Sequence, residues 1–333
     1  MIRLLIVDDS ITAREMLQQI FHDQKDIEVV GIADSGFKAL TLVAQLKPDI
    51  VTMDIHMQGM NGIEAISILM TTAPLPIIVV SGSSLEGESR SVFKALEAGA
   101  LAWIQRPSHF DENFDKSVEE LRELVRVLSE VKVVRRKKMP QTHAMKAHFH
   151  KLTQRAPVTD LSNIFKPKKR IFDIIVLGAS TGGPQAIELF LQNLKKPFLL
   201  PIVIVQHMSE GFVGTFIEWL SDTTGFIIQL AQAGQRPEAG VVYVAPDCIQ
   251  LGFAKTGVFT FEKCDRENGQ IPSVSYLFRS AASVFGSRII GVLLSGMGKD
   301  GAQELKTLYD VGAITFAQDQ QSCVVFWYAS RSN

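Results

Sequence analysis

Short apolar runs alternate with amphipathic stretches twice along this chain. In the first half, Leu4–Val7, Val29–Ala33, Ile50–Met53, Ile77–Val80 and Ala100–Ile104 are the apolar runs. Their length and β-branched content predict strands, and the segments between them carry helical periodicity. Five such βα units predict a doubly wound parallel sheet with its working groups at the carboxyl ends of the strands. The pattern returns with Ile174–Leu177, Ile202–Val205, Val241–Val244, Ile289–Leu294 and Ala313–Phe316. A second α/β domain is therefore expected. From about Val131 to Arg170 the alternation dissolves.

These breaks divide the 333 residues into a domain over 1–125, a linker over 126–170 and a second domain over 171–333. A formal net charge of −1 hides an asymmetry. Lys132 to Arg170 holds 12 Lys/Arg and one acid, Asp160, a local balance of +11, so the remainder sums to −12. Two acidic domains joined by a basic segment follow. The three cysteines, Cys248, Cys264 and Cys323, have no metal-ligand spacing and cannot all pair, as in a reducing cytosol. Asp8 and Asp9 interrupt the first apolar run too early for a signal peptide. The apolar stretch Phe198–Val205 is too short to cross a bilayer and contains Pro201. These features predict a cytoplasmic protein without membrane insertion.

The stretch Ile174-Ile175-Val176-Leu177-Gly178-Ala179-Ser180-Thr181-Gly182-Gly183-Pro184 predicts a buried strand, a sharp turn with Ser180 at its tip, and a helix opening near Pro184. Such a turn lifts a hydroxyl above the sheet edge and aims free N–H groups at a ligand. Taken alone, it reads equally as a phosphate-binding or structural glycine turn. Two further polar sites follow strand ends. Gln206-His207-Met208 follows Ile202–Val205, and Ser295-Gly296-Met297-Gly298-Lys299-Asp300-Gly301 follows Ile289–Leu294. If the strands are parallel neighbours, Ser180, His207 and Asp300 meet at one edge as nucleophile, base and orienting carboxylate. Flanking glycines bring backbone N–H groups close enough for an oxyanion. Any one of these residues has a blander reading. His207 alone reads as a buried histidine, and Asp300 as the N-cap of the helix over Ala302–Leu308.

Acids also sit at the strand ends of the first domain. Asp8 and Asp9 follow its first strand and Asp54 its third. Three convergent carboxylates repel one another unless a cation joins them, and oxygen-only ligation suits Mg²⁺. Ser81 ends the fourth strand, and Arg106 closes the fifth before Pro107. A hydroxyl and a cation beside a metal-bound carboxylate make a place for a phosphoryl group. The blander reading makes Asp8 and Asp9 caps of the first helix.

With those residues in place, 1 to about 125 resembles a two-component receiver domain, which implies a flavodoxin-like fold. The resemblance makes Asp54 the phospho-acceptor, gives Mg²⁺ to Asp8, Asp9 and Asp54, and makes Ser81 the switch hydroxyl with Trp103 near the switch aromatic. Arg106 stands where receivers carry lysine, and Gln58 replaces a proline in His56-Met57-Gln58-Gly59. Arginine binds phosphate through a bulkier planar fork. In the second domain, Gly178-Ala179-Ser180-Thr181-Gly182-Gly183-Pro184, Gln206-His207-Met208 and Gly296-Met297-Gly298-Lys299-Asp300-Gly301 resemble the catalytic domain of the bacterial chemotaxis protein-glutamate methylesterase (CheB) family. So do Val242–Pro246, Pro272-Ser273-Val274 and Ala317-Gln318-Asp319. The resemblance implies Ser180 as nucleophile, His207 as base and Asp300 as its orienter. Thr181 would support the histidine, and the Met297 N–H would contribute to the oxyanion hole. It also implies hydrolysis of glutamyl methyl esters on methyl-accepting chemotaxis receptors, with deamidation of certain receptor glutamines. A histidine kinase would be the phosphodonor, Mg²⁺ would serve only the receiver, and the esterase step would need no cofactor. By the same comparison Ser275 replaces an aspartate, Gln250 a histidine, and the C-terminal end after Val324-Val325-Phe326 is shortened.

The linker holds Arg135-Arg136-Lys137-Lys138, Lys166–Arg170 and three histidines, His143, His148 and His150. Without cysteine or carboxylate partners the histidines read as solvated linker residues rather than a metal site. The basic clusters suit an extended linker or an acidic partner, and the absence of helix-turn-helix or zinc-finger spacing argues against a DNA reader. Alternatives to the regulated esterase are a phosphorylation-dependent receptor-binding regulator with a weakened or inactive esterase domain, a DNA-binding regulator acting through the linker, and a serine hydrolase for another ester.

Overall fold

The computed structural model describes residues 1–82, 86–108, 114–131, 133, 172–296, 298–319 and 323, with only the backbone for 86–89. The basic clusters and histidines of the linker lie outside the described residues, as do Met297 and nearly all of the C-terminal tail.

The first sheet contains β1 (Ile2–Val7), β2 (Ile27–Ala33), β3 (Ile50–Met53), β4 (Ile77–Ser81) and β5 (Ala102–Gln105) in the order β2-β1-β3-β4-β5. All pairings are parallel. The helices are α1 (Ile11–His22), α2 (Gly36–Leu46), α3 (Gly62–Thr72), α4 (Glu86–Ala98) and α5 (Phe114–Ser129). β3 and β4 are buried along their whole length, which is why they read as continuous apolar runs instead of alternating ones. Ser10, not an aspartate, caps α1, and Asp8 Oδ1 accepts from the Ser10 N–H at 2.9 Å. The aspartates thus remain available at the sheet edge.

The second sheet contains β6 (Ile174–Ala179), β7 (Ile202–Gln206), β8 (Ile227–Leu230), β9 (Val241–Val244), β12 (Ile289–Leu293) and β13 (Ile314–Ala317). Its order is β13-β12-β6-β7-β9-β8, again parallel throughout. The helices are α6 (Gly183–Gln192), α7 (Val213–Thr224), α8 (Val274–Phe285) and α9 (Ala302–Asp310). The five expected strands are present. A sixth, β8, and the antiparallel hairpin β10 (Gln250–Phe253) with β11 (Phe259–Glu262) complete the domain. β8 hides in the sequence because it is a four-residue edge strand that leaves Ile227 and Leu230 exposed. The chain leaves β6 toward β7 on one side and returns at β12 on the other. That reversal is the place where open α/β sheets gather ligands.

The two domains pack together through aromatic side chains. Phe93 of α4 stacks on Trp219 of α7 with ring centroids 5.1 Å apart, and Trp103 of β5 stacks on Phe212 at 4.0 Å. The Trp219 indole N–H donates to Glu97 at 2.6 Å, and Gln185 of α6 donates to the Ala100 carbonyl at 3.2 Å. Phe93, Phe212 and Phe216 are almost fully buried, so one apolar cluster runs from the first domain into the second.

Candidate active site and phosphorylation site

Ser180 follows β6 directly. The register Ala179↔Gln206 sets it beside His207, and the His207 N–H donates to the Ala179 carbonyl at 3.0 Å. Gly182 takes φ +73 at the N-cap of α6, with Pro184 in the first helical turn, so the strand turns sharply into the helix as expected. On the other flank the Ser180 N–H donates to the Ser295 carbonyl at 3.0 Å, and the Ser295 hydroxyl donates to the Thr181 carbonyl at 2.8 Å. The Ser180 turn is thereby held by both neighbouring strands.

Asp300 is buried, and its Oδ2 lies 2.9 Å from His207 Nε2. It does not cap α9, where Gly301 takes the N-cap position. Its oxygens are instead filled by donors. The Val274 and Ser275 N–H groups donate at 2.6 and 3.0 Å, the Ser273 hydroxyl at 2.7 Å, and the Asn268 amide at 3.2 Å. Burial works to raise this carboxyl, yet the hydrogen bonds from His207, Ser273 and Ser275 outweigh it and hold Asp300 well below the carboxylate range. An ionised Asp300 requires the proton on Nε2, which leaves Nδ1 as the basic nitrogen. Nδ1 is buried without a partner, and the Ser180 hydroxyl has none among the described residues.

Sequence reasoning did not find the Asp300 cradle. Pro272-Ser273-Val274 stands out only as part of the family resemblance and Asn268 not at all, and only their folded proximity shows that they surround Asp300. Ser275, noted for replacing an aspartate, accepts from the Gly301 N–H at 2.8 Å and donates to Glu304 at 2.6 Å. Gln250 accepts from the Ser273 N–H at 2.7 Å. Thr181 follows Ser180 in the turn, but no hydrogen bond joins its side chain to His207 among the described residues.

In the first domain the expected carboxylates converge. Asp8, Asp9 and Asp54 present oxygens all within 4.8 Å of one another. Asp8 and Asp54 are buried, and Asp9 is exposed. Arg106 Nη2 stands 3.6 Å from Asp8 Oδ2, beyond hydrogen-bond distance, so that buried oxygen has no donor. Burial first, then the Asp8 charge, push Asp54 up to about 6 against the pull of Arg106. An orphaned buried oxygen among three carboxylates fits a small hard cation such as Mg²⁺. Ser81 ends β4 beside Gln105 and Arg106, as expected. Trp103 lies on β5, where its sequence position places it, and its ring packs across the domain boundary on Phe212, five residues after His207.

A cavity of about 560 Å³ lies between the domains. Trp103, Arg106, Lys116 and Glu120 line it from the first domain, and Ser180, His207 and Asp300 from the second. Lys116 of α5 reaches the Gly269 carbonyl at 3.5 Å. The first domain therefore sits over the Ser-His-Asp edge of the second.

Residues 4–116 match the response regulator receiver domain family, and residues 175–331 match the CheB methylesterase family. The chain is 42% identical over 326 residues to protein-glutamate methylesterase/protein-glutamine glutaminase 1 of Syntrophus aciditrophicus, covering 98% of this chain and 90% of that one. It is 41% identical over 333 residues to the protein-glutamate methylesterase/protein-glutamine glutaminase of Nitrosospira multiformis, covering 100% and 91%. Among solved structures, the Thermotoga maritima CheB methylesterase catalytic domain aligns at 37% identity with a TM-score of 0.45, over 46% of this chain and 84% of that one. The chain belongs to the receiver-linked protein-glutamate methylesterase/protein-glutamine glutaminase family.

Proposed function

We propose that this chain is a cytoplasmic serine esterase that hydrolyses glutamyl methyl esters on chemotaxis receptors, deamidates receptor glutamines at the same site, and is controlled by phosphorylation of Asp54. One observation carries the reading: Ser180, His207 and Asp300 meet at the switch point of one sheet, with His207 tied to a saturated carboxylate and the receiver seated above them.

The chemistry follows from the proton positions. His207 Nδ1 takes the Ser180 proton as the serine oxygen attacks the ester carbonyl. The same proton then passes to the departing methoxide, releasing methanol and leaving an acyl-serine. Water, deprotonated by Nδ1, cleaves that ester and restores Ser180. Asp300 stays ionised throughout and balances the imidazolium. The Thr181 and Gly182 N–H groups at the start of α6 are without acceptors among the described residues and suit the oxyanion. Met297, outside the described residues, stands in the sequence to add a third donor.

Asp8, Asp9 and Asp54 would hold Mg²⁺, which when bound offsets the negative charge around the acceptor carboxylate. Arg106 and Ser81 are placed to contact the phosphoryl oxygens, and a histidine kinase supplies the group. Arg106 and Trp103 both border the catalytic cavity, so a charge change at Asp54 bears on the domain contact.

Methanol release from methylated receptor membranes, with and without acetyl phosphate and Mg²⁺, tests this. Release that rises with the donor and disappears in Ser180→Ala is expected. Release that persists in Ser180→Ala would overturn the nucleophile, and absence of release from folded wild type would favour the binding-only reading.

A further inference from the structure

Gln206 is the last residue of β7 and is only 4% exposed. Its carboxamide nitrogen donates to two carbonyls at once, that of Ser180 at 2.9 Å and that of His207 at 2.8 Å. Both protons of the NH₂ group are used, so the carbonyls fix which way the amide points. The oxygen of the amide is buried against Gly183, where an added Cβ would lie 2.0 Å from it. The second glycine of the Thr181-Gly182-Gly183 turn is therefore required by close neighbours, Gln206 first and the Ala179 Cβ at 2.8 Å, and not by its own backbone angles. Ser295 offers a useful contrast. It holds the same turn from the opposite strand through the Thr181 carbonyl, and among the described residues no hydrogen bond joins it to His207.

From this geometry we infer that Gln206 is a positioning residue that fixes the spacing between nucleophile and base by bonding the backbone of both. The inference deepens the esterase reading and rests on Ser180 and His207 as its working pair. No other side chain among the described residues bonds both of their carbonyls. Ser180 Oγ and Nδ1 have no hydrogen bond to each other, so the carboxamide and the sheet register together set their approach. A displacement of about 1 Å between reacting groups can cost roughly 100-fold in rate.

The test compares the full chain with Gln206→Met, Gln206→Glu and Ser295→Ala. Methionine removes both donors at similar volume, and a glutamate at neutral pH turns acceptors toward two carbonyls. Two readouts are needed: methanol release from methylated receptors, and covalent labelling of Ser180 by a fluorophosphonate, which needs the serine-histidine pair but no methyl ester. The expected result is a fall of about 10- to 100-fold in both kcat and labelling rate for the two Gln206 variants. KM stays within about twofold, because Gln206 is only 4% exposed and leaves little surface for a substrate to meet. Ser295→Ala should fall by less than either. Thermal melting identifies any variant that fails to fold, and rates are referred to folded protein. Wild-type labelling in a folded Gln206 variant would overturn the clamp. A chain that labels at Ser180 in a Gln206-dependent way but releases no methanol would overturn the substrate reading and keep the clamp.

Discussion

The two sheets place carboxylates at equivalent edges and treat them in opposite ways. Asp300 of the second sheet has a donor at every turn: a histidine, two backbone N–H groups, a hydroxyl and an amide. Asp54 and Asp8 of the first sheet are equally buried, yet they face one another and leave an oxygen unmatched. The first arrangement favours a permanent charge. The second holds a charge that is costly to bury, which a cation would relieve and a phosphoryl group would redistribute if Asp54 is the acceptor as proposed. A catalytic orienter would need constancy and a phosphorylation switch sensitivity, and one topology can supply both through the donors of its loops.

Removing the charge at each site is the strongest way to break that comparison. Asp300→Asn leaves five donors aimed at a side chain that is itself half donor, and it frees the histidine tautomer. Methanol release should fall at least about 1,000-fold, and the melting curve should move down by the equivalent of roughly 2–4 kcal/mol. Asp54→Asn should do the reverse to stability. In chelator at pH 7 it relieves the cost of a buried charge, set first by desolvation and then by repulsion from Asp8, together about 1–3 kcal/mol on the scale of a shift to about 6. It should also abolish the response to acetyl phosphate while leaving donor-independent release in place. Loss of stability in Asp54→Asn would remove the contrast.

The pH dependence sharpens the same point. The Asp54 carboxyl is raised on folding, so the folded state binds the extra proton between the ordinary value of 3.8 and about 6. Its cost is fully present above pH 6 and fades as pH falls through that range. Asp300 is lowered on folding, so its contribution holds above about pH 4 and is lost only in stronger acid. The melting difference between wild type and Asp54→Asn, measured in chelator, should therefore narrow from pH 7 to pH 5. The difference between wild type and Asp300→Asn should not narrow. A constant Asp54 gap would mean that the carboxyl is already neutral or paired.

What the sequence disclosed follows the same division. Strand runs such as Ile50–Met53 and Ile202–Val205 are legible because buried parallel strands are apolar on both faces. Residues at strand ends, including Ser180, His207, Asp300, Asp8 and Asp54, were legible because parallel order converts sequence position into place. The Asp300 cradle was not, since Asn268 and Ser273 arrive from the segment between the hairpin and α8, and Ser275 from the first turn of α8, which no strand rule places. The partner of Trp103 stayed hidden for a related reason: its place on β5 follows from the sequence, but only the docked second domain brings Phe212 to its ring.

The contact between the domains offers two smaller tests. Trp103→Ala removes a stacked aromatic pair whose interaction is worth about 0.5–1.5 kcal/mol beyond burial. If domain contact restrains the esterase, donor-independent methanol release should rise about 3- to 10-fold and the donor response should shrink correspondingly. Unchanged basal release would mean that the receiver does not limit access from this side.

Arg90 should matter least, although its contact looks strong on distance alone. Its guanidinium lies 2.7 Å from Glu218 across the same boundary. Both side chains are more than half exposed, at 70% and 59%, whereas Trp103 and Phe212 are stacked against protein. Water and salt screen the pair, and two long side chains lose rotamer freedom to hold it. Arg90→Ala should raise basal release by less than about twofold at physiological salt, with the small effect disappearing at high salt. A larger or salt-resistant effect would place the restraint in charge pairing at the rim instead of aromatic packing at the centre.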